Sequence, residues 1–211
     1  MFVKRFYEPQ VAQASYLIGC AAAGEAIVID PNRDVDEYIR AAAQENLRIA
    51  HVTETHIHAD YVSGARELAR RTGATLYLSD EGDKDWKYQF AREGRLIRHG
   101  DHIALGNIRV DVVHTPGHTP GSACLRFRER DGKISLLVGD VAFPGGRLGF
   151  INGPGFDLPA WKASIKRLIS AKPDRYYPGH NNFILGGATE DLKVTDAKMT
   201  APWTTIVTSE G

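Results

Sequence analysis

The 211 residues carry 26 basic and 26 acidic side chains, so the formal charge is zero, and 43% of positions are apolar. That balance offers no electrostatic basis for binding nucleic acid or an anionic membrane surface, and it points to a small-molecule partner. A chain of this length buries enough apolar surface to fold without disulfides, and Cys20 and Cys124, outside any Cys-x-x-Cys pattern, are expected as core residues in a reducing compartment.

The N-terminal Met1-Phe2-Val3-Lys4-Arg5-Phe6-Tyr7-Glu8 interleaves charges with aromatics, unlike a signal peptide. No apolar run approaches the roughly 20 residues of a membrane span, and the cytoplasm is the expected location. Phe2 to Tyr7, Ser15 to Gly19 and Ala26 to Asp30 read as short β-prone runs of an antiparallel meander. A helix is predicted from Val35 to Gln44, with Asp34 as its cap and Val35, Tyr38, Ile39 and Ala42 on one face. Asp30 ends a strand, where it could cap the following turn or stand on the rim of a site.

Ile49 to Thr53 is a buried strand that runs into Thr55-His56-Ile57-His58-Ala59-Asp60-Tyr61. In an extended segment His56 and His58 would point the same way, and a bend after Ala59 would bring Asp60 to the same centre. Imidazoles with a carboxylate suit zinc, iron or manganese. A capping serine and a terminal glycine then mark a helix over Ser63 to Gly73, followed by a strand from Ala74 to Leu78. Ser79 to Gly94 reads as a polar surface loop with some helix.

His102 to Leu105 and Ile108 to Val113 flank Gly106-Asn107 as a hairpin, with His99 and His102 facing solvent. His114 is expected on the strand, supporting rather than ligating. The two prolines and two glycines of Pro116-Gly117-His118-Thr119-Pro120-Gly121 forbid regular structure and impose a rigid path around His118. A second hairpin, Cys124 to Phe127 with Ile134 to Val138, ends at Gly139-Asp140, where an unpaired carboxylate would be costly unless a cation sits beside it. Ala142 to Phe156 reads as an irregular glycine-rich loop. A helix capped by Asp157 runs to Ala171 with an apolar stripe, a strand Arg175 to Pro178 delivers His180, and a short helix near Glu190 to Val194 precedes an irregular end. No repeat or linker interrupts residues 1–211, which are expected to form one domain.

His56, His58, Asp60, His118, Asp140 and His180 thus all stand just beyond apolar strands, and four strand ends delivering ligand chemistry point to one convergent site. A non-catalytic sandwich with a structural metal would retain these buried ligands at a cost and without use.

The ordered pieces Thr55-His56-Ile57-His58-Ala59-Asp60, Pro116-Gly117-His118-Thr119-Pro120-Gly121, Gly139-Asp140 and Pro178-Gly179-His180 resemble the metallo-β-lactamase superfamily. The resemblance implies an α/β fold, an αββα four-layer sandwich of two mostly antiparallel sheets with metal at one edge. Many members have histidine after the loop aspartate, where it helps hold a second metal; Tyr61 stands there, and a phenol with a pKa near 10 is a poor substitute. One metal is expected.

Within the superfamily the chain is similar to the persulfide dioxygenases (ETHE1-like sulfur dioxygenases), especially the catalytic domain of rhodanese-fused bacterial forms. The similarity runs through Ala14-Ser15-Tyr16-Leu17-Ile18-Gly19-Cys20, Thr53-Glu54-Thr55-His56-Ile57-His58-Ala59-Asp60 and Ser79-Asp80-Glu81-Gly82. It implies one Fe(II) held by His56, His118 and Asp140, a two-His-one-carboxylate face with three open positions. His58, Asp60 and His180 would support those ligands or hold an additional metal, and Arg147 and Tyr61 would meet substrate. The implied activity is oxidation of a low-molecular-weight persulfide, such as glutathione persulfide, by O2 to sulfite and thiol in sulfide detoxification, with a homodimer as the possible assembly. No rhodanese domain is expected in the chain. Three departures bear on the substrate: Asn181-Asn182 replace the Asp-Tyr of glutathione-using members, Gly146-Arg147-Leu148-Gly149 lacks the aspartate of a Gly-Arg-x-Asp turn, and that loop is shorter. The alternative is a glyoxalase II-like hydrolase, in which Zn2+-bound hydroxide attacks a thioester or lactone.

Overall fold

The computed structural model describes residues 1–149 and 153–200; the irregular tail beyond 200, and positions 150–152 of the expected glycine-rich loop, lie outside the described residues. Two sheets form the centre. The first orders strands β1 (Phe2–Glu8), β2 (Gln13–Cys20), β3 (Glu25–Ile29), β4 (Arg48–Thr53), β5 (Thr75–Ser79) and β6 (Arg95–Ile97) consecutively. The second runs β11 (Arg175–Pro178), β10 (Ile134–Gly139), β9 (Ala123–Arg128), β8 (Ile108–His114) and β7 (His102–Leu105).

Alternation along the strands divides the apolar side chains into layers. Tyr16, Ile18, Ile27, Ile29, Leu125 and Leu137 fill the space between the sheets. Leu17, Val28 and Val52 face outward, under Tyr38 and Ala41 of α1 (Asp36–Gln44) and Leu68 of α2 (Ala65–Thr72). Leu136, Val138 and Tyr176 face the other way, under Trp161 and Ile165 of α3 (Leu158–Ser170) and Leu192 and Met199 of α4 (Ala188–Thr200). The four layers expected from the resemblance are present.

The pairing differs from expectation in the first sheet. β1, β2 and β3 form the antiparallel meander, but β3–β4, β4–β5 and β5–β6 are parallel. α1 carries the chain back across the sheet between β3 and β4, α2 does so between β4 and β5, and the segment 80–94, with one short 3-10 turn at Ala91–Glu93, does so between β5 and β6. The second sheet is antiparallel except for β10–β11. Because β3, β4, β10 and β11 run in register with parallel neighbours, their C-terminal ends collect at one edge.

Helix ends are also corrected. Val35, not Asp34, occupies the cap position of α1, and the Asp34 carboxylate accepts instead from the Asp36 amide at 3.2 Å. The last helix spans 188–200 rather than 190–194. Among the described residues no helix is long and apolar enough to cross a membrane.

Candidate metal centre

The centre is assembled from four strand ends. β4 releases the chain at Thr53, and the next residues run without regular pairing through His56, His58 and Asp60. The Glu54 carboxylate, buried at 3% exposure, accepts from the Ser63 hydroxyl, whose oxygen in turn accepts from the Ala65 amide at the start of α2. Both ends of this loop are therefore tied to regular structure.

His118 follows β8 on the Pro-Gly loop. Gly117 adopts φ 136°, and a Cβ there would lie 2.3 Å from Cβ of Trp161, so the loop can press onto α3 only with glycine at this position. The loop is stapled by Gly117 O accepting from the Asp157 amide at 2.9 Å and Pro116 O from the Ser164 hydroxyl at 2.7 Å. Gly139, at φ 50°, turns the end of β10 so that Asp140 faces inward; a Cβ there would sit 2.5 Å from Thr55 Oγ1. Gly179 then pairs back to Gly139 O at 2.9 Å, placing His180 beside Asp140.

The donor atoms of His56, His118 and Asp140 all lie within 4.8 Å of one another, and all three residues are buried. Asp140 Oδ2 is 3.7 Å from His56 Nε2, 3.6 Å from His118 Nε2 and 3.5 Å from His180 Nε2. These separations are long for hydrogen bonds, and they fit donors spread around one ion at bonds of roughly 2.1 Å. Asp140 Oδ1 is buried with no hydrogen-bond partner among the described residues, as a carboxylate awaiting a cation would be. Burial, reinforced by the neighbouring His58, holds His56 down to about 3, so its imidazole is neutral and its lone pair free to ligate. Burial would raise Asp140, but the flanking imidazoles of His180, His56 and His118 hold it well below the usual carboxylate range. The residues present therefore fit a metal ion.

His58 does not point with His56 as an extended segment would have it. Although only two residues from His56 and with its ring 4.2 Å away, it turns to the opposite side, donating from Nε2 to Asp30 Oδ1 at 3.1 Å. The segment is not extended, so the period-two argument does not hold there. Burial alone would lower His58, but the Asp30 carboxylate raises it to about 9.

Asp30 is the hub. It holds the left-handed conformation, φ 52°, and its Oδ1 also accepts from the Thr55 amide at 2.6 Å while Oδ2 accepts from the Thr55 hydroxyl at 2.8 Å. Thr55 Oγ1 lies 2.9 Å from His56 Nδ1, so the carboxylate reaches the metal-facing ring through one hydroxyl. The Asp30 carbonyl accepts from Gln13 Nε2 at 2.8 Å and Tyr61 OH at 3.2 Å. Tyr61, whose ring stacks 4.4 Å from that of His58, lines no part of the cavity, and its contact is with the Asp30 backbone rather than with a substrate position.

Asp60 reaches the centre indirectly, 3.1 Å from His180 Nε2. The neighbouring carboxylates of Asp140 and Asp60 raise His180 to about 10. His114 sits on β8 and donates to Pro120 O at 2.8 Å, while His99 and His102 are exposed. Among the residues sequence reasoning passed over, Thr55 and Gln13 serve Asp30, and Phe143 walls the cavity, which Trp86 of the Ser79 to Gly94 loop also lines. Their signal lay in position rather than type: Thr55 immediately precedes the first histidine.

The cavity over this centre has a volume of about 780 Å³. His56, His118, Asp140, Asp60 and His180 form its floor, and Arg147 stands in its wall.

The comparisons agree with this geometry. The family model described as "Metallo-beta-lactamase superfamily" matches residues 9–180. A probable polyketide biosynthesis zinc-dependent hydrolase, PksB, of Bacillus subtilis is 33% identical across 79% of this chain and 72% of its own length. A hydroxyacylglutathione hydrolase of Polaromonas is 31% identical, covering 79% of this chain and 61% of that protein. Among solved structures, a metallo-beta-lactamase of Staphylococcus aureus superposes with a TM-score of 0.83 at 33% identity, covering 100% of this chain and 67% of that one. ETHE1 of Myxococcus xanthus shares the fold at a TM-score of 0.75 and 24% identity, with 99% and 96% covered. With a family match across most of its length and the motif residues converging on one edge of an αββα sandwich, the chain belongs to the metallo-beta-lactamase superfamily.

Proposed function

We propose that the protein is a one-iron persulfide dioxygenase. The observation that carries this reading is the split between the two loop histidines: His58 is committed to Asp30, which leaves His56, His118 and Asp140 as a two-His-one-carboxylate face. That donor set suits non-haem Fe(II), which when bound would supply open positions for O2 and the terminal sulfur of the substrate. Tyr61 supports the same reading, since its phenol is turned to the Asp30 carbonyl and offers no nitrogen for a second ion.

The overall change is RSSH + O2 + H2O giving RSH, sulfite and two protons. Within it the chain's own residues have separate tasks. His180 Nε2 holds a proton between Asp60 and Asp140 and sets positive charge against the floor of the cavity, where an anionic persulfide would lie. Trp86, Phe143 and Leu148 exclude water from the space above. We extend the proposal to a cytoplasmic enzyme of one domain acting on a small-molecule persulfide, with no nucleic-acid or membrane partner.

A second reading has its own support, because relatives at 31–33% identity are named as a zinc-dependent hydrolase and a hydroxyacylglutathione hydrolase. On that reading Zn2+ would occupy the same residues and the substrate would be a thioester or lactone. Oxygen uptake with sulfite analysis separates the two. The dioxygenase consumes one O2 per persulfide and releases one sulfite; turnover of a thioester with no O2 consumption on any persulfide would replace it with the hydrolase.

A further inference from the structure

Apart from the groups that form the metal-side floor, the lining of the cavity contains one charged residue, Arg147, among the described residues. The rest of the wall is apolar or neutral: Val11, Trp86, Phe143, Pro144, Leu148 and Pro154 on the sides, and Asn181 with Asn182 beyond His180. The two acids of the floor are both engaged, Asp140 among the imidazoles and Asp60 with His180 at 3.1 Å.

Arg147 is exposed, and no acidic partner for it is seen among the described residues. Its backbone is nevertheless fixed. Phe143 and Arg147 form an antiparallel bridge across the turn Pro144-Gly145-Gly146, and α4 clamps that turn through Gly145 N donating to Asp191 Oδ1 at 2.8 Å and Lys198 Nζ donating to Gly145 O at 2.6 Å. A guanidinium with no acidic partner among the described residues, carried on an anchored turn at the side of an apolar cavity, is placed to receive an anion from a ligand seated below it.

We infer that the cavity selects persulfides whose carrier has a single anionic group and an apolar body, with Arg147 taking the anion; this rests on the dioxygenase reading for its reaction. A carrier such as glutathione adds an ammonium and a second carboxylate. The ammonium would find no free acid on this wall, since Asp60 is engaged by His180. Placing it there would leave a charge desolvated and unpaired. Arg147 is thus a specificity-determining residue rather than a member of the metal centre.

The test compares initial rates of O2 uptake by the iron-loaded protein on the persulfides of 6-mercaptohexanoate, 6-mercaptohexanol and glutathione. At low salt the carboxylate should exceed the alcohol in kcat/KM by roughly fivefold, the upper range for an ion pair at a solvent edge, and should exceed glutathione persulfide. The preference should shrink as ionic strength rises. In Arg147→Ala it should fall to about one through a raised KM for the carboxylate, and Arg147→Glu should favour the alcohol. Glutathione persulfide matching or exceeding the carboxylate, or both carriers slowing alike in the variants, would overturn the inference. If no persulfide supports O2 uptake, the dioxygenase reading fails. Calorimetric binding of the two parent thiols to the metal-loaded protein then still decides selectivity: a fivefold ratio lost in Arg147→Ala upholds it, and equal affinities overturn it.

Discussion

Opposite ends of β10 and β11 carry charge in two different ways. Where these strands begin, Arg175 bonds Glu129 at 2.5 Å and Asp131 at 2.6 Å, Tyr177 OH donates to Glu129 at 3.0 Å, and the Ser135 hydroxyl donates to the same carboxylate. Where they finish, three imidazoles stand 3.5–3.7 Å from one oxygen of Asp140 while its other oxygen has no hydrogen-bond partner among the described residues. The first cluster sets its opposite charges against each other, with only Arg175 Nε left without a partner among the described residues, and holds hairpin and strand together. The second is incomplete without a cation, and it lies under the cavity. Charge that the protein fully pairs contributes to stability; buried charge left short of partners marks where something else binds.

Substitutions at the two ends should therefore separate binding from stability. The largest effect is expected for His118→Ala and Asp140→Ala, which should lose the bound metal and all turnover, as metal analysis and activity assays would register. Next is Asp30→Asn: the amide keeps one acceptor oxygen and turns the other into a donor, so either His58 or the Thr55 hydroxyl loses its acceptor, and metal affinity should fall by about 10–100-fold while the fold persists. Competition with a chelator measures it, and unchanged affinity would show that the Asp30–Thr55–His56 chain does not act on the metal. Arg175→Met should do the reverse, lowering the Tm while leaving metal stoichiometry and kcat as they are.

The smallest effect concerns Cys124, buried behind the site, where burial pushes the thiol up to about 12. A thiol raised in this way favours folding below its unfolded pKa of about 8.5. Stability should therefore decline as pH climbs from there toward 12, and Cys124→Ala should flatten that part of the pH–Tm curve. Rapid alkylation of Cys124 in the folded protein at neutral pH would contradict it.

The strand ends were legible because apolar runs followed at once by histidine or aspartate leave few places for those side chains to go. Legible too were the rigid Pro-Gly loop of His118 and the Asp157 cap, whose carboxylate accepts from the Ala160 amide at 2.9 Å. What escaped depended on neighbours far along the chain. β6 is only Arg95-Leu96-Ile97, and pairing with β5 rather than propensity makes it a strand. α4 hides its inward face because Thr195 stands in the buried series with Ala188, Leu192 and Met199, which dilutes the apolar pattern. The division between His56 and His58 came only from the resemblance and not from the residues themselves. Nothing within Thr55 to Tyr61 distinguishes the two rings; Asp30, delivered by a neighbouring parallel strand, does.

That division is also where the reading of one metal stands or falls. Protein purified without added metal should be analysed for ion identity and number per chain, together with O2 uptake on a persulfide. One iron per chain, with O2 consumed and sulfite released, is the predicted result. Two zinc ions per chain, His58 among their ligands, and thioester hydrolysis without O2 would contradict it.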